Sequence, residues 1–124
     1  MRVEKFLDHC KTIATGSDFK FRHGAILVNC NNIIRSSCNS PRPIIAFNKF
    51  HPNRIASLHA EIGCILNMKL EQTRGCDIYV CRILRNNKFA NSYPCEMCQA
   101  VCSKMGIRKI YYSIADNDYG VLKL

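Results

Sequence analysis

Two short segments of the chain combine residue types that bind metal ions. Residues 59–61 read His-Ala-Glu, and residues 94–98 read Pro-Cys-Glu-Met-Cys. The imidazole of His59 and the thiolates of Cys95 and Cys98 are ligands that suit Zn²⁺. Three protein ligands leave the fourth position of a tetrahedral ion for water, which distinguishes a catalytic zinc site from a structural one. The two segments therefore predict one catalytic zinc ion per chain.

The spacing inside each segment agrees with a shared site. Cys95 and Cys98 are three positions apart, so they share one face of the first turn of a helix, where partial positive charge favours thiolates. His59 and Glu61 converge only at the start of a helix, which Ser57 as N-cap would provide. Zinc lowers the pKa of a bound water to roughly 7. Glu61 is the candidate to accept that proton and pass it to a substrate.

Other interpretations of these residues explain less. A redox-active CxxC pair needs no His-x-Glu partner, and a zinc ion held by four cysteines would normally show a second CxxC, which the sequence lacks. Most of the nine cysteines are expected to be reduced core residues. The other histidines, His9, His23 and His51, are interpreted as surface or core residues rather than as a fourth ligand.

Together, H-x-E and P-C-x-x-C form the signature of the cytidine deaminase-like superfamily. The chain resembles its CMP/dCMP-type branch, which includes deoxycytidylate deaminases, tRNA adenosine deaminases and the riboflavin-pathway deaminase, and which uses His as the first ligand. Residues 24–28 resemble the first strand of the family, and residues 106–110 resemble the strand after the zinc helix. Residues 39–41 (Asn-Ser-Pro) match an Asn-x-Pro motif of many tRNA-editing members. The resemblance spans roughly residues 20–113.

The resemblance implies a fold and a set of site residues. The fold is α/β, a three-layer α-β-α sandwich with a mixed sheet. His59, Cys95 and Cys98 would bind zinc, and Glu61 would carry the proton. The substrate-binding residues implied in the same way are Asn39, toward the sugar, and Ala25 and the backbone of Ala60, beside the base. A simple turn-forming role is the alternative for Asn39.

Hydrophobic periodicity predicts the elements that position these residues. In chain order the predicted elements are a helix over 3–14, a hairpin with strands at 23–28 and 33–38, a long loop over 39–56, a helix over 58–70, a strand over 77–82, a loop over 83–93, a helix from 94 to 106 and a strand over 107–112. No element is predicted over residues 113–124. Alternation of helices and strands in the second half favours parallel crossovers and an α/β sandwich. The 124 residues are expected to form one domain, 1–124.

Composition restricts the class of partner. The net charge is +9, from 18 basic and nine acidic residues, which favours a polyanionic partner or a phosphorylated substrate. The N-terminus shows no signal-peptide pattern and no stretch is apolar enough to span a membrane, so we expect a cytoplasmic protein without a membrane partner. We also expect a homo-oligomer.

The favoured hypothesis is hydrolytic deamination of cytosine in a free nucleotide such as dCMP, giving uracil and ammonia. The predicted phosphate-binding residues lie in the long loop: Arg42, Lys49, His51 and Arg54. A non-catalytic, zinc-containing binding domain is a further alternative, against which Glu61 argues because a structural zinc site would not need it.

A nucleic-acid deaminase, acting on tRNA adenosine or single-stranded cytosine, is the main alternative. Tyr93 would then stack on a base, although core packing explains it equally well. Arg108 is expected in a loop that flanks the zinc. The basic residues that would follow a phosphate backbone are Arg82, Arg85, Lys88, Lys104, Arg108 and Lys109.

Overall fold

A mixed β-sheet forms the centre of the computed structural model, which describes residues 2–39 and 59–124. Its strands are β1 (Arg22–Asn29), β2 (Asn32–Cys38), β3 (Asp77–Ile83), β4 (Phe89–Ala90), β5 (Lys109–Ala115) and β6 (Asp118–Lys123). The strand order is β2-β1-β3-β5-β6, and the short β4 pairs with the end of β3. Strands β3 and β5 are parallel, whereas the other pairs are antiparallel. The expected mixed sheet is confirmed.

Helix α1 (Arg2–Ala14) covers one face of this sheet. Its buried Phe6 packs with Ile26 of β1 and Tyr79 of β3 in one apolar cluster. Gly24 allows a close approach of β1 to the helix, because a Cβ at that position would lie 2.7 Å from the backbone nitrogen of Ala14. The spacing of apolar residues in 3–14 therefore predicted both the helix and its buried face.

The opposite face carries α2 (Ala60–Ile65) and α4 (Glu96–Lys104), with the single-turn helix α3 (Leu70–Thr73) between them in the chain. Cys64 of α2 and Cys102 of α4 are buried in one cluster with Leu27 and Val80 of the sheet. Helices on both faces give the expected three-layer α-β-α sandwich.

The predicted helix over 58–70 is instead two helices. Helix α2 ends at Ile65, and Asn67 adopts a φ of 63°, in the left-handed region that Asn tolerates better than most residues. Apolar spacing continued across this break, so periodicity alone could not reveal it. The predicted N-cap Ser57 lies outside the described residues, and His59 occupies the N-cap position of α2.

Two further stretches contain structure that the sequence did not predict. The region after residue 113 completes β5 and forms β6, joined by a turn in which Asn117 has a φ of 62°. The predicted loop over 83–93 contains β4, after a turn at Asn87 with a φ of 66°. The helix predicted from residue 94 begins at Glu96.

Almost all of the predicted long loop lies outside the described residues, together with the phosphate-binding candidates Arg42, Lys49, His51 and Arg54. In the segments 2–39 and 59–124, no helix combines the length and apolar character needed to cross a bilayer.

Candidate active site

Two helix starts carry the predicted metal ligands. His59 directly precedes α2 in an extended conformation, and its carbonyl accepts a hydrogen bond from the backbone N–H of Gly63 at 2.9 Å. Cys95 precedes α4 in the same manner, and its carbonyl accepts from the N–H of Gln99 at 3.0 Å. Both residues are therefore N-caps whose side chains project from the helix beginning.

The two starts meet through apolar packing. Ile62 of α2 forms a buried cluster with Met97 and Cys98 of α4. Because both helices lie on the same face of the sheet, this contact fixes the distance between the side chains of His59 and the two cysteines.

The donor atoms lie at the separation that zinc requires. Nδ1 of His59 is 3.4 Å from Sγ of Cys98 and 3.8 Å from Sγ of Cys95, and the three atoms all lie within 4.8 Å of one another. Tetrahedral ligation with typical Zn–N and Zn–S bonds places nitrogen and sulfur about 3.6 Å apart. The His59, Cys95 and Cys98 set therefore fits one Zn²⁺ with one coordination position left for water.

The two thiols differ in their surroundings. The pKa of Cys95 is lowered to about 3, first by a hydrogen bond from Cys98 and also by His59, against the opposing effect of burial. The pKa of Cys98 is raised, because it shares its hydrogen with Cys95 and is buried. The hydrogen bond with Cys95 raises the pKa of His59. Cys95 is thus the more readily deprotonated sulfur, and zinc ligation requires the second deprotonation at Cys98.

Glu61 is buried beside these ligands. Its side chain is 6% exposed, and burial raises the pKa of its carboxyl, although the first-turn backbone and the neighbouring His59 favour the carboxylate. A carboxyl group whose pKa is raised holds a proton more readily, so it can both accept and return one. Glu61 therefore has the environment of a general acid–base.

A cavity of about 390 Å³ opens over this group. Its volume lies within the range of about 300–1,000 Å³ that is typical of small-molecule sites. The described residues that line it are Phe19, Lys20, Phe21, His23, Asn39, His59, Ala60, Glu61, Ser92, Tyr93 and Cys95.

A pair of buried serines fixes the segment that leads into α4. The hydroxyl of Ser92 donates to the carbonyl of Val80 at 3.1 Å and accepts from the N–H of Ser113 at 2.9 Å. The hydroxyl of Ser113 donates to the carbonyl of Ala90 at 2.8 Å. These bonds tie the cavity wall around Ser92 to β3 and β5, so the chain enters Cys95 from a fixed position.

Comparison with known families agrees with this geometry. Residues 1–114 match the family model described as the cytidine and deoxycytidylate deaminase zinc-binding region. The chain belongs to this family. It is accordingly a zinc-dependent hydrolytic deaminase. The donor set formed by His59, Cys95 and Cys98 fits the zinc ion that this family region binds.

Solved structures show the same fold. The dCMP deaminase of the cyanophage S-TIM5 in its apo form has a TM-score of 0.65 and 21% identity, over 90% of this chain and 82% of that one. The structure of that enzyme in complex with dCMP and dUMP has a TM-score of 0.63 and 18% identity, over 88% and 78% of the two chains. No curated protein sequence matched significantly.

The predicted substrate-binding residues occupy different places in this deaminase. Ala60 lines the cavity, whereas Ala25 is fully buried in the core and lies outside the cavity lining that the described residues form. Asn39 lines the cavity, but its Oδ1 accepts from the N–H of His23 at 2.9 Å and its Nδ2 donates to the carbonyl of Phe21 at 2.8 Å. Asn39 therefore holds the start of β1 through bonds to residues 16 and 18 positions away, which differ from the local bonds of a turn-forming Asn. The substrate contacts remain predictions.

Several cavity residues had no role in the sequence-based prediction. Phe19, Lys20, Phe21 and His23 all precede or begin β1 and line the cavity. The signal available in the sequence was the alternation of aromatic and basic residues directly before the strand at 24–28. Tyr93 also lines the cavity with 54% of its surface exposed, so the core-packing alternative for Tyr93 is wrong.

The basic residues proposed to follow a phosphate backbone fall into two groups. Arg82 lies at the end of β3 toward the cavity, whereas Lys109 pairs with Asp77 at the start of that strand, about 17 Å away. Arg108 lies at this distant end and forms a bidentate ion pair with Asp77 at 3.1 and 2.8 Å. The expectation that Arg108 flanks the zinc site is therefore wrong.

Proposed function

We propose that this deaminase acts on cytosine in a free nucleotide such as dCMP and releases uracil nucleotide and ammonia. The observation that carries the proposal is a small cavity at which two groups meet. His59, Cys95 and the buried Glu61 line it, and so does the cation Lys20, with Arg82 beside the lining residue Phe21. The first group supplies deamination chemistry, and the second supplies charge for a phosphate.

The chemistry at the base depends on Glu61. When bound, zinc supplies a water nucleophile that is reactive near neutral pH. Glu61 would accept one proton from the attacking water and deliver it to the base. The exocyclic amine would then leave as ammonia, the water oxygen would become the new carbonyl oxygen, and the two water protons would end on the ammonia and on the ring nitrogen. Burial supports this role because it raises the pKa of the carboxyl and makes the protonated form accessible.

The phosphate is assigned to the two cations that lie over Phe21. The guanidinium carbon of Arg82 is 4.8 Å from the centroid of the Phe21 ring, and Nζ of Lys20 is 5.7 Å from it. Nε of Arg82 is buried and has no hydrogen-bond partner in the part of the chain that the structure describes. Neither Lys20 nor Arg82 forms an ion pair with an acidic residue in the described part of the chain, where the ion pair found is that of Arg108 with Asp77. A substrate phosphate would neutralise this charge.

One observation favours a nucleic-acid substrate as the second candidate. Phe21 and Tyr93 are both exposed at the cavity, and exposed aromatic rings can stack on neighbouring bases of a single strand. The separation of Arg82 from Arg108 and Lys109 argues against one continuous basic path, so the free nucleotide is preferred. Membership of a deaminase family argues against the non-catalytic alternative.

Ammonia release from separate pools of dCMP, CMP, cytidine, single-stranded DNA and tRNA tests the proposal. We expect turnover of dCMP or CMP to exceed that of cytidine and of both polymers. Efficient turnover of a polymer with no turnover of mononucleotides would contradict it.

A matched pair of variants tests the phosphate assignment. Arg82→Gln should raise KM for dCMP about tenfold or more, because a charge-assisted contact is lost, and should leave KM for deoxycytidine unchanged. Arg85→Gln, at an exposed residue after the same strand, should change neither. Equal effects of Arg82→Gln on the two substrates would show that Arg82 does not contact phosphate.

A further inference from the structure

The aromatic residue at the cavity mouth, Tyr93, packs against a neighbouring ring of the described part of the chain. The rings of Tyr93 and Tyr112 meet edge to face, with centroids 5.1 Å apart and an interplanar angle of 88°. Tyr93 directly precedes the zinc-binding segment and is more than half exposed. Its orientation at the mouth therefore depends on where Tyr112 holds its ring.

Tyr112 in turn lies over a residue of the last strand. It pairs with Gly120 across β5 and β6. A Cβ at position 120 would lie 2.8 Å from Cε2 of Tyr112, and closer still to Cζ and the hydroxyl oxygen. The φ of Gly120 lies outside the left-handed region, so its backbone conformation does not require glycine. What requires glycine is the space that the Tyr112 ring occupies.

A methyl group at position 120 would force the phenol end of Tyr112 to move. That end is the far part of a side chain, so the ring can shift without a backbone contact being violated, and the shift displaces the surface against which Tyr93 packs. Among the described residues, neither Tyr112 nor any residue of strand β6 lines the cavity itself. Strand β6 would therefore affect the cavity indirectly, through the contact of Gly120 with Tyr112 and of Tyr112 with Tyr93.

We propose that Gly120 is a positioning residue, which acts through Tyr112 to set the orientation of Tyr93 and hence the binding of the nucleotide substrate in the cavity. This inference rests on the proposed function for the substrate, but the packing relationship itself can be measured without any substrate. It assigns to the terminal hairpin a part in substrate binding.

The substrate-free test uses fluorescence. The chain contains no tryptophan, so Tyr93→Trp introduces a single reporter at the mouth. Adding Gly120→Ala to this variant should shift the emission maximum and change acrylamide quenching, whereas Val121→Ala, at the exposed neighbouring position, should change neither. An unaltered emission spectrum and unaltered quenching in the Gly120→Ala background would overturn the proposal, whatever the enzyme's substrate.

The kinetic test separates positioning from general damage. Gly120→Ala should raise KM for dCMP about two- to tenfold, the effect of one aromatic contact, with kcat changed by less than about twofold and zinc content unchanged. In a Tyr93→Ala background the same substitution should have no further effect on KM. An equal rise in both backgrounds would overturn the proposal, because a loss of fold stability alone would act regardless of Tyr93. If no nucleotide is turned over by the wild type, the proposed function fails and the fluorescence result alone decides the positioning role.

Discussion

Sγ of Cys98 lies 3.4 Å from Nδ1 of His59, although the two residues are 39 positions apart in the chain. His59 caps the helix α2, which has only six residues, and Cys98 lies in the first turn of α4. A helix of that length is not stable in isolation. A zinc ion bound between them would therefore hold the two helix starts together and contribute to the stability of the fold as well as to chemistry.

Loss of a ligand should remove both contributions. We expect His59→Ala and Cys98→Ala to bind less than one zinc per chain by elemental analysis and to unfold at a lower temperature than the wild type. A chelator should lower the Tm of the wild type toward that of Cys98→Ala, because it removes the zinc that stabilises the folded state. It should have little effect on the variant, which has already lost that zinc.

The control is Cys102→Ala, in the same helix but outside the ligand set. It should lose about 1 kcal/mol of stability from reduced packing and keep its zinc. Full zinc content in His59→Ala would show that the ligand assignment is wrong.

Glu61 should be required for turnover and dispensable for the metal. Glu61→Ala and Glu61→Gln should lower kcat by about 10²–10⁴-fold or more, since no carboxyl remains to transfer the proton, while zinc content stays at one per chain. Glu96→Gln provides the matched control, because Glu96 is an exposed acid next to a ligand. Activity of Glu61→Gln equal to that of Glu96→Gln would contradict the assignment.

The zinc ligands could be predicted from the sequence because residue types at short, fixed spacings identify them. His-x-Glu and Cys-x-x-Cys each occupy one helix start, and the type of residue determines what it can bind. The sheet strands β1, β2 and β3 were predictable for a similar reason, since β-branched and apolar runs are bounded by turn residues. The helix break at Asn67 was not, because apolar spacing continues through it.

The rest of the cavity depends on contacts between distant segments. The pairing of His23 with Arg82 arises from strand register, which no local pattern reveals. Strand β6 was missed because Gly120 interrupts its apolar alternation, and the reason for that glycine lies in Tyr112 on another strand. The same limitation led to the wrong placement of Arg108.

The buried serine pair should contribute measurably to stability. In Ser92→Ala the N–H of Ser113 loses its acceptor and the carbonyl of Val80 loses a donor in a buried position, which should cost about 1–3 kcal/mol in chemical denaturation. Ser113→Ala should cost a similar amount, and the double variant should lose less than the sum because the two hydroxyls belong to one network. Strict additivity of the two losses would contradict this description.

His23 should be uncharged at neutral pH. Burial lowers the pKa of its imidazole below 6.5, and the positive charge of Arg82 lowers it further. Since protonation is favoured in the unfolded state, this residue should reduce stability progressively as the pH falls below about 6.5. An NMR titration of His23 should give a midpoint below 6.5. Arg82→Gln should raise that midpoint, whereas Arg85→Gln should not, and a midpoint at or above 6.5 in the wild type would refute the prediction.

The dependence of affinity on salt should distinguish the two candidate substrates. Each phosphate that a protein neutralises on a single strand contributes about −0.7 to the slope of log affinity against log salt. Lys20 and Arg82 are the basic residues assigned here to the phosphate, so a mononucleotide should show a slope of about −1 or shallower. Binding or kcat/KM should be measured from low to moderate salt for dCMP and for a single-stranded oligonucleotide. We expect the shallow slope with dCMP as the better substrate. Efficient deamination of the oligonucleotide with a slope of about −3 or steeper, while dCMP is untouched, would establish that several phosphates are bound and that the substrate is a nucleic acid.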